Sequence, residues 1–413
     1  MKYILCVGYQ KTYISEIMNV LKSDEQILII EEETLVNDDL KVSGTLYFTG
    51  EYQQSYGAVD VIQEISNSYN IIAVVPIREY AVPTAYRIAQ LLGLSGVGEV
   101  ASVCLRDKFR LRNTVDQLAP KHFIQPTYRR ITSLQELESF YEEVGPCVIK
   151  PSAKQSTVGV FVIMDQSDIQ KYYKAALDSD EPGRVVNDRE LKWEYHAESF
   201  LHGSEYSTEL FIQHGIVKFY NGTKKKTHDG PCPFEIGHAL PLSTIDLAVD
   251  EKLQKAAIEF VSLLGIENAI IHAEWIVSDK GEVGLVEAAA RAPGCFITDL
   301  ISNTYKFNFF RVWLDVLAGT KNLIINNTPS IISAMRWLNP EDGVVLKVNE
   351  LLANIHPNDL NLLRSDVTVK VGDLISLKNN QTRVGHVIAE MSRTTSLASL
   401  DSLSDSIIEV QEA

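Results

Sequence analysis

The chain has 413 residues, 45% hydrophobic and 22% charged, with a net charge of −16. That length exceeds what one core supports, so two or three domains are expected, and the composition excludes a disordered or low-complexity chain. The acidic balance argues against a general nucleic-acid or anionic-membrane binder, and no apolar run reaches the roughly 18 to 20 residues of a membrane helix.

The N-terminus, "MKYILCVGYQ", runs into a strand pattern without a cleavage-site signature, which reads as a cytoplasmic protein. Apolar runs "YILCVG", "QILII" and "NIIAVV" alternate with helical patterns such as Pro83 to Leu92, implying a mostly parallel α/β unit over residues 1–100. Gly8 suggests a phosphate loop, but "GYQKTY" lacks both the dinucleotide fingerprint and a P-loop lysine. The glycine-rich "GLSGVGEV" marks a boundary near residue 100.

Residues 101–190 read as a small α+β unit. It comprises a helix from Lys108, a strand "HFIQPTYRR", a helix carrying Leu134, Leu137, Tyr141 and Val144, and a strand "CVIK" ending at Pro151; the polar loop "PSAKQSTVG", a strand "VFVIM" and a helix follow. Residues 191–318 are β-rich, with "KWEYHAESFL", "EYSTELFIQHG" and "IVKFYNGTKKK", a helix over Asp250 to Leu264, and two strands around "SDKGEV". Residues 319–413 read as a C-terminal α+β portion in which "DGVVLKV" and "VTVKVGDLISL" are strands. Cys6, Cys104, Cys147, Cys232 and Cys295 form no C-x-x-C pair, which argues against a disulfide framework or a thiolate zinc site.

"AIIHAEWIVSDKGEVGLVEAAAR" predicts a β-hairpin. With Lys280 and Gly281 at the turn centre, Glu274 faces Glu287, their Cβ atoms roughly 5 Å apart. His272, Ala289 and, if the strand continues, Arg291 share that face, while Trp275, Val286 and Ala288 point away. Opposed carboxylates repel, and a bound Mg2+ removes the objection, since it takes oxygen ligands. The alternatives are a solvated sheet face, or an Arg291 salt bridge without catalysis. Lys108 and Lys150 stand at element ends, and Glu198 and Glu205 flank a strand-turn-strand.

Taken in order, Lys108, "VIKPSAKQSTVGV", "ESFLHGSEYS" and "HAEWIVSDKGEVGLVEAAAR" resemble the ATP-grasp superfamily over about residues 100–315. The resemblance implies an ATP-grasp fold behind an N-terminal parallel α/β domain. It places Lys108 and Lys150 on ATP phosphates, Glu198 on the adenine amino group, Ser199, Phe200 and Leu201 along the base, and Glu205 on the ribose. The loop Ser152 to Val158 becomes a lid, with Ser156 a donor, and Glu274 and Glu287 carry Mg2+, as two ions, with Mn2+ as an alternative. Many members have Asn two residues after the second Glu; here it is Ala289, so water or a bidentate Glu287 must compensate.

"EIGHALP" and "VEAAARAPG" look most like the bacterial L-amino-acid ligases, which join two unprotected amino acids through an aminoacyl phosphate. That likeness puts Glu235 and His238 at the substrate, makes Arg291 both catalytic and substrate-binding, and offers arginine as an N-terminal substrate; the small side chains of Ala292, Pro293, Gly294 and Cys295 leave room for a second substrate at Gly294, the alternative being close helix-strand packing. Small-molecule partners alone are implied, with room for a homodimer. The alternative is another ATP-grasp carboxylate-amine ligase or carboxylase acting on a different acid.

Overall fold

The computed structural model describes every residue except Pro182, 229–233, 350–359, 377–382 and 412–413. Cys232 therefore lies outside the described residues. Strands β1 (Lys2–Val7), β2 (Glu25–Glu31), β3 (Tyr47–Thr49) and β4 (Ile71–Pro76) form a parallel sheet in the order β3-β2-β1-β4. Their unbroken apolar runs are buried on both faces, as a covered parallel sheet requires. Leu5, Val7, Leu28 and Ile30 pack with Ile88 of the helix Val82–Leu91. The opposite face, Ile4, Cys6, Ile27 and Ile29, packs with Leu300 and Trp313 of the helices Ile297–Tyr305 and Phe309–Leu317. The N-terminal sheet thus completes its core with residues some three hundred positions later.

Gly8 (φ +88°) is no phosphate loop. A Cβ there would lie 2.9 Å from the Arg78 side chain, and the next amide, Tyr9 N, donates to Glu31 Oε2 at 2.6 Å.

A second sheet is antiparallel, ordered β5-β8-β6-β7, from β5 (Tyr128–Ile131), β6 (Cys147–Pro151), β7 (Phe161–Ile163) and β8 (Tyr195–Ser199). The helices Leu134–Val144 and Ile169–Leu177 bury Leu137, Phe140, Ile169 and Ala176 against it. Its trailing segment is tied to the N-terminal unit: Arg189 forks onto Glu32 (2.8 and 3.1 Å), the Gln53 amide bonds the backbone of Arg184 and Val186, and Tyr80 donates to Glu181 at 2.7 Å.

The large sheet uses β9 (Ser204–Gln213), β10 (Ile216–Thr227), β11 (Glu235–Leu240), β12 (Ala269–Val277), β13 (Val283–Ala289), β14 (Ile332–Trp337), β16 (Leu360–Val367) and β18 (Gly385–Met391). Their order is β13-β12-β9-β10-β11-β14-β18-β16, so the boundary expected near residue 318 does not interrupt the sheet. Residues 343–411 also supply a small sheet of β15 (Gly343–Val348), β17 (Leu374–Ile375) and β19 (Ile408–Gln411). "VTVKVGDLISL" is not one strand: β16 stops at Val367, and a turn at Gly372 (φ +92°) precedes the two residues of β17.

The hairpin places Glu274 opposite Glu287, as the alternation predicts, but by a different route. The pairs Val277↔Val283, Ile276↔Gly284 and Trp275↔Leu285 belong to a register one residue shorter, and a bulge at Val286 restores the longer one before the glutamates. The bulge also turns Val286 toward the cleft described below, against the alternation, whereas Trp275 and Ala288 enter the core as expected.

Gly203, between β8 and β9, has φ +149°, and a Cβ on it would stand 2.3 Å from the Val277 carbonyl oxygen. Gly203→Ala should therefore destabilise the protein by about 1–3 kcal/mol, read as a lower urea midpoint; an unchanged midpoint contradicts this close approach.

Candidate active site

A cleft of about 1400 Å³ opens between the second sheet, the β12–β13 end of the large sheet and the N-terminal unit. Every residue expected at the site lines it except His238, which is fully buried.

At one end stands a closed charge network. Lys150, on β6, places its ammonium 2.6 Å from Glu198 Oε2, while Arg112 forks onto both Glu198 oxygens at 2.8 and 3.0 Å. His196 Nε2 lies 3.1 Å from Oε1. A carboxylate has about four acceptor positions, and these contacts use them. Glu198 is thus engaged on both oxygens by protein partners and fixes Lys150. Burial would raise the Glu198 carboxyl, but Arg112 and Lys150 hold it well below the usual range. Burial lowers Lys150, opposed by Glu198. Arg112 went unnoticed in the sequence although it stands one helical turn beyond Lys108; its Nη2 also donates to the Val286 carbonyl at 2.6 Å, pinning the bulge.

Apolar Val148, Phe200, Leu201, Ile276 and Val286 line the cleft beside this network. Backbone amides Ser199 N and Phe200 N are already donated to Thr127 and Pro146. Lys108 begins the helix Lys108–Leu118, capped by Asp107; its ammonium reaches Glu287 Oε2 at 3.1 Å and the Lys154 carbonyl at 2.9 Å. In the loop after β6, Ser156 accepts from Arg184 Nη1 at 2.9 Å.

The middle of the cleft is organised by Lys225, the central lysine of "TKKKT" on β10. Its side chain is 1% exposed, and its ammonium contacts Glu205, Glu235 (2.6 Å) and Glu274 (2.8 Å), whose carboxylate oxygens lie within 4.8 Å of one another. Alternation along β10 is the signal that separates it: Lys226 goes the other way, to Asp401. Glu205 thus joins the carboxylate cluster. Burial pushes it up to about 7, Lys225 opposing and Glu274 and Glu235 assisting. Burial would raise Glu274 too, but Lys225 and His272 bring it down to about 2. His272 bridges Glu209 (3.0 Å) and Glu274 (3.4 Å); burial would lower it, and these partners instead raise it to about 9.

Arg291 lies beyond the end of β13 yet still lines the cleft, because Glu79 of the N-terminal unit receives its Nε and Nη2 at 3.2 and 3.0 Å. Glu79 was not singled out in the sequence. Burial would raise it, but Arg291, Lys108 and Arg106 keep it low. A Cβ on Gly294 would meet nothing within 4 Å, so this wall is open. His238 Nε2 is 3.1 Å from Glu235 Oε2, and among the described residues neither ring nitrogen makes a well-directed hydrogen bond, so His238 backs Glu235 from the core instead of facing the cleft.

Glu274 and Glu287 present only carboxylate oxygens on facing positions, a donor set that suits Mg2+, and Lys225 and Lys108 already relieve their repulsion. Ala289 contributes no ligand atom. Among the described residues no helix is long and apolar enough to cross a membrane.

Residues 143–299 match the ATP-grasp domain family. The chain is 26% identical over 275 residues to the alanine–anticapsin ligase of Bacillus subtilis (strain 168), covering 64% of this chain and 57% of that protein, so it spans a little over half that relative's length. Among solved structures, the L-amino acid ligase from Bacillus licheniformis superposes over 100% of this chain and 99% of its own with a TM-score of 0.72 at 17% identity. Phosphoribosylglycinamide synthetase from Anaerococcus prevotii superposes over 100% of both chains with a TM-score of 0.65 at 15% identity. These structural likenesses establish the fold.

Two outcomes are expected of this geometry. Glu79→Gln should free Arg291 and lower turnover by about 10²-fold with the fold intact, since small displacements of a charge stabiliser are costly; full activity would mean that Arg291 needs no second anchor. The stability that His272 contributes is complete below its ordinary value of 6.5 and is lost as pH rises through about 9. The melting temperature of chelator-treated protein should fall across that window, less so for His272→Gln, and parallel profiles would show His272 to be neutral.

Proposed function

For a chain with the ATP-grasp fold and a matched ATP-grasp domain, we propose ATP-dependent ligation of a carboxylate to an amine, with two unprotected L-amino acids as substrates and a dipeptide, ADP and phosphate as products. The observation that carries this reading is the placing of Arg291 and open Gly294 in the same cleft as the facing Glu274 and Glu287. A carboxylate is a poor electrophile. Transfer of the γ-phosphoryl group to the first amino acid makes an aminoacyl phosphate, and the second amino acid's amine displaces phosphate.

In this reading Lys108 and Lys150 hold the nucleotide phosphates, and Glu198 acts through Lys150. The base lies among Val148, Phe200, Leu201, Ile276 and Val286. Glu274 and Glu287 would hold Mg2+, which compensates phosphoryl charge when bound. Arg291 carries the guanidinium best suited to the oxyanion formed at the donor carbonyl, oriented by Glu79. The loop Ser152 to Val158 keeps water from the acyl phosphate. Among the described residues, Glu79, Glu205 and Glu235 are each already bound to an arginine or lysine, and the reading is for L-amino acids as a class.

Incubation with Mg-ATP and each pair of the twenty amino acids, with phosphate measured and products weighed, should reveal amino-acid-dependent ATP cleavage and a dipeptide. Phosphate release that requires bicarbonate and no amino acid would favour a carboxylase instead. Arg291→Ala should cut turnover by about 10²- to 10³-fold while nucleotide still binds, and normal turnover would remove its assigned role. Glu287→Gln should abolish Mg-dependent cleavage; unchanged metal dependence would remove the carboxylate pair from the reaction.

A further inference from the structure

The cations lining the cleft are nearly all engaged. Arg78 lies 3.8 Å from Glu31, Lys108 pairs with Glu287, Lys150 with Glu198 and Arg291 with Glu79; Lys225 holds three carboxylates. Lys154 and Arg184 donate to Ser179 and Ser156. Arg383, just before β18, differs. Among the described residues its guanidinium has no carboxylate within 4 Å and donates no hydrogen bond, yet it lines the same cleft. It is held by ring faces: its Cζ lies 4.5 Å from the centre of Trp337 and 5.5 Å from that of Phe234. Phe234 is in turn stacked on His228 at 4.8 Å. The guanidinium is therefore oriented without its five donors being used.

Its place along the cleft identifies the ligand. Lys150 and Glu198 mark one end, Glu274 and Lys225 the middle, and Glu235, bound to Lys225, comes next. Arg383 packs on the ring of Phe234, the residue that precedes Glu235, and all three line the cleft. In the proposed ligation the donor's carboxylate is consumed, and Arg291 is committed to the reacting carbonyl. The acceptor keeps its own carboxylate throughout, and this anion must be held apart from the phosphates while its amine attacks. A planar guanidinium with a free fork suits a carboxylate through paired hydrogen bonds.

We infer that Arg383 is the anchor for the α-carboxylate of the acceptor amino acid, and so makes the enzyme select free amino acids as nucleophiles. This inference rests on the ligase reading. The test is one competition reaction with Mg-ATP, the twenty free L-amino acids and equal concentrations of their α-amides; free acids serve as donors, and both sets compete as acceptors. Dipeptides should exceed dipeptide amides by about 10- to 100-fold, the range of a charged hydrogen-bonded contact, although the amides have the larger share of unprotonated amine at neutral pH. Arg383→Gln should bring the ratio close to one, and Arg383→Lys should restore part of it. A wild-type ratio near one, or an unchanged ratio in Arg383→Gln, overturns the inference.

Absence of any product from the wild type would instead sink the ligase reading, and a second measurement then judges Arg383 separately. With Mg-ADP present, the free acids should raise the melting temperature more than the amides do, and Arg383→Gln should shrink the difference to the share that the donor site contributes. Equal shifts in the wild type, or an undiminished difference in Arg383→Gln, remove the anchor.

Discussion

Lys225 sets one ammonium among the carboxylates of Glu205, Glu235 and Glu274 in a side chain almost sealed from water. Three carboxylates gathered so closely would otherwise protonate or move apart, because desolvation and mutual repulsion both penalise the charged form. Removing one partner of such a buried cluster typically costs about 3–5 kcal/mol. The consequences run outward from this ammonium. Glu274 stays ionised and available to a cation, while Glu205 carries the strain of burial and titrates near neutrality. Beyond Glu274, His272 continues the line of charge to Glu209, which Ser207, Asn221 and Thr223 saturate from the core side. The cleft is thus a chain of alternating charges anchored in neutral hydroxyls and amides.

The second dependence is between parts of the chain far apart in sequence. The N-terminal sheet covers one face with helices that follow β13, and Glu79 crosses 212 residues to hold Arg291. Arg189 and Glu32 tie the segment that precedes β8 to the same sheet. The N-terminal unit is therefore part of the site's construction. Any movement of the second sheet must either carry these ties along or break them.

Much of this was legible in the residues. Parallel strands followed from apolar runs without alternation, and the β12–β13 hairpin from alternation around a glycine turn. The carboxylates were placed correctly although the turn was not, because two departures of one residue, in the turn and at Val286, cancel. What stayed hidden was partnership between elements. Glu198 stood out as an acid by a turn, but its saturation depends on Arg112, Lys150 and His196, which converge from a helix and two strands. Lys225 looked like one of three surface lysines until the register of β10 showed which face is buried. His238 sat in a recognisable motif, yet only packing reveals that it faces the core. The C-terminal strands read as a separate portion because sequence does not record which edge they join.

The bulge at Val286 has a further meaning for how this site can change over generations. Between it and the turn lie only three residue pairs, in a register independent of the one that opposes Glu274 to Glu287. Arg112 clamps the bulge from outside the hairpin. The turn is therefore a part that can be lengthened, shortened or rewritten without dragging the carboxylates out of alignment, because the mismatch is absorbed at an anchored joint. Innovation at the hairpin's tip is insulated from the chemistry at its base.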